Sequence, residues 1–228
     1  MSIAENLARV KERIVGAALR AGRRPETVKL VGVTKTVDLP RIELAVEAGL
    51  EILGENYVQE AQEKLRRFQG RVRWHFIGRL QRNKAKYAVQ LFDLIHTVDS
   101  LKLAEEVHRR AQALGRVIPV LIQVDLAAQE TKGGVRPDEA LALVTEAARL
   151  GNLRVLGLMT MPPYFSDPER VRPYFRRLRE LSEEIAAGGH TEVEMTELSM
   201  GMSGDLEVAV EEGATLVRVG TAIFGERP

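Results

Sequence analysis

Lys29-Leu30-Val31-Gly32-Val33-Thr34-Lys35-Thr36, close to the start of the chain, decides which kind of α/β protein this is. The stretch from about 28 to 35 is apolar and rich in branched residues, which predicts a strand. In an open, doubly wound sheet that binds a dinucleotide, the turn after the first strand carries glycines that cradle the pyrophosphate. Here that turn reads Val33-Thr34-Lys35-Thr36, with a lysine and no glycine. The open sheet stays an alternative but lacks its signature where that signature belongs.

Working outward, the pattern repeats until the barrel becomes the simplest closure. Upstream, Ile3, Leu7, Val10, Ile14, Ala17 and Ala18 recur at three- and four-residue steps over residues 2–21, with Ser2 as N-cap and Gly22 as terminator. Downstream, strands are expected at 51–54, 72–78, 94–98, 118–124, 153–159, 194–199 and 215–220. Helices are expected at about 39–49, 57–68, 81–91, 101–114, 137–150, 171–185 and 205–212, with a polar loop at 129–134. Eight strands separated by seven helices, with no Pro/Gly/Ser linker, predict one α/β domain over 1–228, a (β/α)8 TIM-type barrel. The 2–21 helix is expected to cover the barrel exterior where a substantial eighth outer helix would lie.

Composition removes several classes of function. With 45% hydrophobic and 29% charged residues the 228-residue chain reads as an ordinary globular protein. Its 33 basic and 32 acidic residues give a formal charge of +1, so no global attraction to nucleic acid or anionic membrane is expected. The absence of cysteine excludes disulfides, thiolate nucleophiles, iron–sulfur clusters and two-cysteine racemase chemistry. No basic-then-apolar leader opens the sequence and no run approaches the roughly 18 apolar residues of a membrane span, so a cytoplasmic protein is expected. His75, His96, His108 and His190 show no metal-ligand spacing, and no metal is expected.

In a barrel of this type the functional groups come from the C-terminal strand ends, and phosphate is often held after strands seven and eight. Lys35 falls on that rim. So do Asn56, Gly78, Arg79, residues 159–163, Ser199-Met200-Gly201-Met202-Ser203-Gly204-Asp205 and Arg218-Val219-Gly220-Thr221. A lone lysine at a strand end is usually solvent-facing punctuation, and glycines in a strand-to-helix turn usually serve backbone geometry. Their joint occurrence on one rim favours function: backbone N–H groups and hydroxyls for an anion, opposite an amine for a carbonyl. Pyridoxal 5′-phosphate is the common cofactor that carries both partners. Arg218, which only donates hydrogen bonds, would hold a facing pyridine nitrogen unprotonated and make the ring a poor electron sink.

The motifs at residues 31–35, 54–60, 74–84, 157–161, 198–205 and 218–225 resemble the pyridoxal-phosphate homeostasis proteins over nearly the whole chain. The resemblance implies a fold like the barrel domain of bacterial alanine racemase, standing alone without that enzyme's second β-domain. It implies that Lys35 holds the cofactor as a Schiff base, that Ser203, Gly220 and Thr221 hold the phosphate and that Arg218 lies near the pyridine nitrogen. It further implies that Asn56, Ser199 and Met200 line the cofactor less directly. The family is associated with cofactor balance and delivery, which makes pyridoxal-phosphate-dependent enzymes the expected clients; a monomer is the expected state.

Other readings stay open at this point. An amino-acid racemase would need a second proton carrier, for which Tyr57, Tyr87, Tyr164 and Tyr174 are the conceivable substitutes. A Schiff-base lyase would use Lys35 directly on a phosphorylated sugar. A binding module would use the basic cluster Arg79, Arg82, Lys84 and Lys86, more simply read as a solvated helix face. Glu55 and Glu60 are read as exposed helix-start glutamates, Trp74 and Phe76 as barrel packing, and His75 and His96 as hydrogen-bonded barrel histidines.

Overall fold

The computed structural model describes residues 2–127, 133–189 and 193–226. Strands β1 (Lys29–Val33), β2 (Ile52–Glu55), β3 (Arg73–Phe76), β4 (Leu94–Val98), β5 (Ile118–Gln123), β6 (Leu153–Met159), β7 (Glu197–Ser199) and β8 (Leu216–Val219) close into a barrel. Each strand pairs in parallel with the next, and β8 returns to β1 with Arg218 opposite Val31. Around it stand α1 (Ile3–Arg20), α2 (Leu39–Glu47), α3 (Val58–Arg67), α4 (Ala85–Leu91), α5 (Leu101–Gln112), α6 (Ala140–Ala148), α7 (Arg172–Ala187), α8 (Leu206–Glu211) and a single turn, α9 (Thr221–Phe224).

Alternation along each strand sorts side chains into two cores. Val31, Ile52, Leu94, Leu121, Met159 and Leu216 form a small apolar layer inside the barrel. The opposite faces pack on the helices in the larger core, as with Leu53, Ile95, Val217 and Val219. Below the inner layer, Lys29 pairs with Glu197, whose Oε2 accepts from Thr215 at 2.6 Å. Towards the C-terminal ends of the strands the interior turns polar, with His75, His96, Ser199 and Arg218 all buried.

The first helix does what its pattern predicts. Ser2 Oγ accepts from Glu5 N at 3.2 Å while Glu5 Oε2 accepts from Ser2 N at 2.8 Å, a reciprocal cap worth about 1 kcal/mol. Its buried stripe Leu7, Val10, Ile14, Ala17 and Ala18 packs beside α8 and α9. Asn6 Nδ2 donates to Ile223 O at 3.0 Å and Arg13 pairs with Glu207 at 2.6 Å. Together α1 and α9 occupy the outer position that a full eighth helix would take.

Strand seven is shorter than its sequence suggests. Val120 pairs with Val155 but Leu121 pairs with Gly157, so Leu156 is an extra residue in β6. Gly157 turns the chain there at φ 155, and any Cβ would lie 1.9 Å from Glu197 O. The preceding segment meets the bulge instead of a regular ladder, with Glu194 N on Val155 O at 3.2 Å and Thr196 N on Leu156 O at 2.9 Å. The loop expected at 129–134 lies outside the described residues except for Gly133 and Gly134, and His190 lies outside them too. Among the described residues no helix is long and apolar enough to cross a membrane.

Candidate functional site

A cavity of about 270 Å³ opens on the C-terminal rim between β1, β2 and β8 and the loops after β6 and β7. Lys35, Asn56, Ser203, Arg218, Gly220 and Thr221 all line it, so six of the residues singled out from sequence meet at one place. Ser199 and Met200 sit behind that wall, pointing opposite ways. Ser199 faces the barrel interior and bonds to Arg218 at 2.6 Å, whereas Met200 is wholly buried in the outer core with Leu206 and Ala209. Met161, Tyr164, Phe165, Met202 and Asp205 also line the cavity. The prolines at 162 and 163 mark the loop that brings the first three, but nothing in their spacing says that it folds over the rim.

Arg218 is 4% exposed, and among the described residues no carboxylate lies within ion-pair distance of it. Burial lowers its pKa to about 10, partly offset by Asp205, so the guanidinium is still charged at neutral pH. Nη1 donates to Ser199 Oγ at 2.6 Å, Nη2 to Thr160 O at 2.9 Å, and the backbone N–H to Gly201 O at 3.0 Å. Behind Ser199, His96 Nδ1 lies 2.8 Å from Oγ and His96 Nε2 lies 3.0 Å from His75 Nδ1. A guanidinium only donates, so the Ser199 oxygen accepts from Arg218, which leaves its hydroxyl hydrogen free to donate to His96 Nδ1. In that arrangement neutral His96 carries its hydrogen on Nε2 and donates to His75 Nδ1. Burial holds both imidazoles neutral, His75 with a pKa of about 3 and His96 well below the usual value.

The loops after β7 and β8 are built from turns. After β7, Gly201 takes φ 91, and a Cβ there would come 2.4 Å from the Ala209 methyl group. Met202 N then donates to Asp205 Oδ1 at 2.5 Å, and Ser203 Oγ accepts from Ala222 N at 3.3 Å, tying the two loops together. Gly220 opens α9 against Val33, which brings its backbone close to β1. Burial pushes the Asp205 carboxyl up, opposed by the Met202 N–H and by Arg218.

Lys35 lies two residues beyond β1, on a tight turn closed by Val37 N to Thr34 O at 3.0 Å. Thr36, third in that turn, has φ 61, a left-handed conformation that costs a branched residue on the order of 1–2 kcal/mol. Behind the turn, the buried ammonium of Lys64 donates to Thr34 O at 2.6 Å, Glu55 Oε1 at 2.8 Å and Glu60 Oε1 at 2.6 Å. Thr34 Oγ1 adds a bond to Glu55 Oε1 at 2.6 Å. The sequence reading of Glu55 as an exposed helix-start residue is therefore corrected: it ends β2, is 0% exposed, and burial pushes its carboxyl up despite Lys64. It stands one residue past the strand expected at 51–54 and two beyond Leu53, so strand alternation puts it on the same buried face, which was the overlooked signal.

The basic cluster after β3 lines a separate rim hollow of about 620 Å³, where Arg79, Arg82 and Lys84 are joined by Lys102. Lys86 lies apart, with its ammonium 4.5 Å from the Tyr87 ring centre. Trp74 and Phe76 are buried, Phe76 edge-on to Phe92 at 5.1 Å. Among the described residues no cluster of metal-ligating side chains is present.

These residues fit a phosphorylated aldehyde of aromatic character. Among the described residues no carboxylate lies within ion-pair distance of the buried cation, the Asn56 Oδ1 is buried without a partner, and hydroxyls, a glycine backbone and an amine line one cavity.

A family model described as the N-terminal domain of alanine racemase matches residues 2–228. Alanine racemase from Clostridium difficile 630 has the same fold, with a TM-score of 0.78 at 18% identity over 98% of this chain and 57% of the racemase. The fold and rim thus define an alanine racemase-type barrel. Finer relationships come from an Aquifex aeolicus protein named pyridoxal phosphate homeostasis protein, 49% identical over 228 residues, or 100% of this chain and 99% of the relative. PipY of Synechococcus elongatus, solved with PLP bound, superposes with a TM-score of 0.86 at 37% identity, covering 98% of this chain and 100% of PipY. The chain belongs to the pyridoxal phosphate homeostasis protein family.

Proposed function

We propose that this protein binds pyridoxal 5′-phosphate reversibly, with the Lys35 amine as covalent anchor, and serves the homeostasis and delivery of that cofactor with little or no turnover of its own. The observation that carries this reading is the meeting of Lys35, Arg218, Ser203, Gly220 and Thr221 on one cavity. When bound, the cofactor supplies a phosphate, a pyridine ring and an aldehyde that condenses with a primary amine. Ser203 and Thr221 present hydroxyls to the phosphate, and Gly220 presents backbone without a side chain. Arg218 donates into the cavity and stays charged, so it would keep a ring nitrogen in front of it unprotonated. The PLP bound to PipY supports the ligand, and the names of the curated relatives support the role.

Sustained racemisation would need a second proton carrier opposite the lysine. Of the four tyrosines weighed, Tyr164 lines the cavity, but it is 81% exposed and no hydrogen bond fixes its hydroxyl among the described residues. Tyr174 instead stacks on Phe165 at 6.0 Å between ring centres. We place the protein in the cytoplasm as a monomer that passes cofactor to pyridoxal-phosphate-dependent enzymes.

Titration of the cofactor-stripped protein with pyridoxal 5′-phosphate should produce a near-ultraviolet to visible absorbance band that Lys35→Ala does not give. Unphosphorylated pyridoxal should bind far more weakly. Equal affinity for pyridoxal would remove the role given to Ser203 and Thr221. Chiral analysis of amino acids after long incubation should find no enzyme-like turnover, and sustained racemisation would overturn the carrier reading.

A further inference from the structure

Lys35 sits second in a turn that threonine disfavours, and the peptide groups on either side of it are held by one ion pair from α3. Its upstream neighbour, Thr34, gives its carbonyl to Lys64 Nζ at 2.6 Å. Its downstream neighbour, Thr36, donates its N–H to Glu60 Oε1 at 2.6 Å, and the same oxygen accepts from Lys64 at 2.6 Å. The third donor of Lys64 goes to Glu55 at 2.8 Å, so the ammonium is fully used and has no reach into the cavity. Nor does Lys64 line that cavity.

We propose that Lys64, acting with Glu60, is a positioning residue that holds the Thr34–Thr36 turn in its left-handed conformation and thereby aims the Lys35 amine at the ligand. This rests on Lys35 being the anchor for pyridoxal 5′-phosphate. Without the clamp, Thr36 relaxes to negative φ, the preferred region for a branched residue. The peptide plane between Lys35 and Thr36 then turns, and the amine leaves its line of attack. The contacts proposed for Ser203, Gly220 and Thr221 with the phosphate and for Arg218 with the ring come from β8 and the loops after β7 and β8, whose residues the clamp does not touch. Capture of the aldehyde is thereby separable from binding of the rest of the molecule.

Two ligands read the two functions apart: pyridoxal 5′-phosphate trapped on Lys35 with cyanoborohydride, and pyridoxine 5′-phosphate, which has a hydroxymethyl group in place of the aldehyde. In Lys64→Met the trapping rate should fall at least tenfold while the Kd for pyridoxine 5′-phosphate stays within twofold. In the ligand-free protein, the Thr36 amide should lose its protection from hydrogen exchange. Because the chain has no cysteine, Lys64→Cys alkylated with 2-bromoethylamine before refolding restores an ammonium at this position alone, and trapping should recover. Should Lys64→Met not fold, Glu60→Ala, at a partly exposed position, removes the Thr36 acceptor and should slow trapping in the same direction. Unchanged trapping in the folded variants, or a parallel loss of pyridoxine 5′-phosphate binding, overturns the positioning role. Failure of the wild type to be trapped at Lys35 would instead sink the anchor assignment beneath it.

Discussion

The Arg218 guanidinium donates to the Ser199 hydroxyl at 2.6 Å, and that contact joins it to a buried hydrogen-bonded chain running through His96 to His75. Ser199 contributes by orienting Arg218 from behind. Ser199→Ala leaves an Arg218 N–H and His96 Nδ1 without their shared partner in a buried position. Stability should fall by about 1–3 kcal/mol, measured as a shift in the urea midpoint at constant m-value. Ser203→Ala, at the cavity and with only a 3.3 Å bond to lose, should cost about 0.5 kcal/mol and act on phosphate retention instead. Equal stability losses in the two variants would contradict this division.

Acid sensitivity follows from the same chain. A histidine neutral in the fold, with its pKa near 3 as for His75, binds fewer protons than its unfolded counterpart between that value and about 6.5. Stability is therefore present above pH 6.5 and is lost as pH falls through that window, by at most about 1.4 kcal/mol per unit for each histidine. Carboxylates contribute their own slopes, so the comparison is between proteins. From pH 7 to pH 5 the wild type should lose more stability than His96→Gln, and parallel curves would show that His96 is not held neutral.

Gly78 makes the close approach that lets β3 pass the end of β2. A Cβ there would lie 2.2 Å from Asn56 O and 2.6 Å from Asn56 Cα. Gly78→Ala must push that backbone aside, which should cost more than about 2 kcal/mol and shift the Asn56 side chain in the cavity wall. Thermal unfolding together with pyridoxal 5′-phosphate affinity checks both effects. A variant that is as stable as the wild type would refute the contact.

What could be read in the sequence was what repeats. Branched strands such as 118–124 and periodic helices such as 2–21 announce themselves locally, and their number implies closure. Lys35, Arg218 and the two loop motifs were legible because the barrel topology fixes which ends share a rim. The rest depends on contacts between distant segments. The shortening of β7 arises from a bulge in β6, and the outward turn of Met200 follows from a strand register that loop residues do not display. Lys64 looks like any charged position on α3, whose buried residues are otherwise Val58 and Ala61, and only the fold shows that it points inward under Lys35. Asp205 and Phe165 reach the cavity through loop paths that no periodicity encodes.

The central claim is that Lys35 is the anchor, and its most direct test is borohydride reduction of the protein with stoichiometric pyridoxal 5′-phosphate, followed by peptide mass mapping. The phosphopyridoxyl mass should appear on the peptide containing Lys35, with Lys29, Lys64 and the other lysines unmodified and with Lys35→Ala folded but unlabelled. Label on another lysine, or undiminished label in Lys35→Ala, would contradict the account.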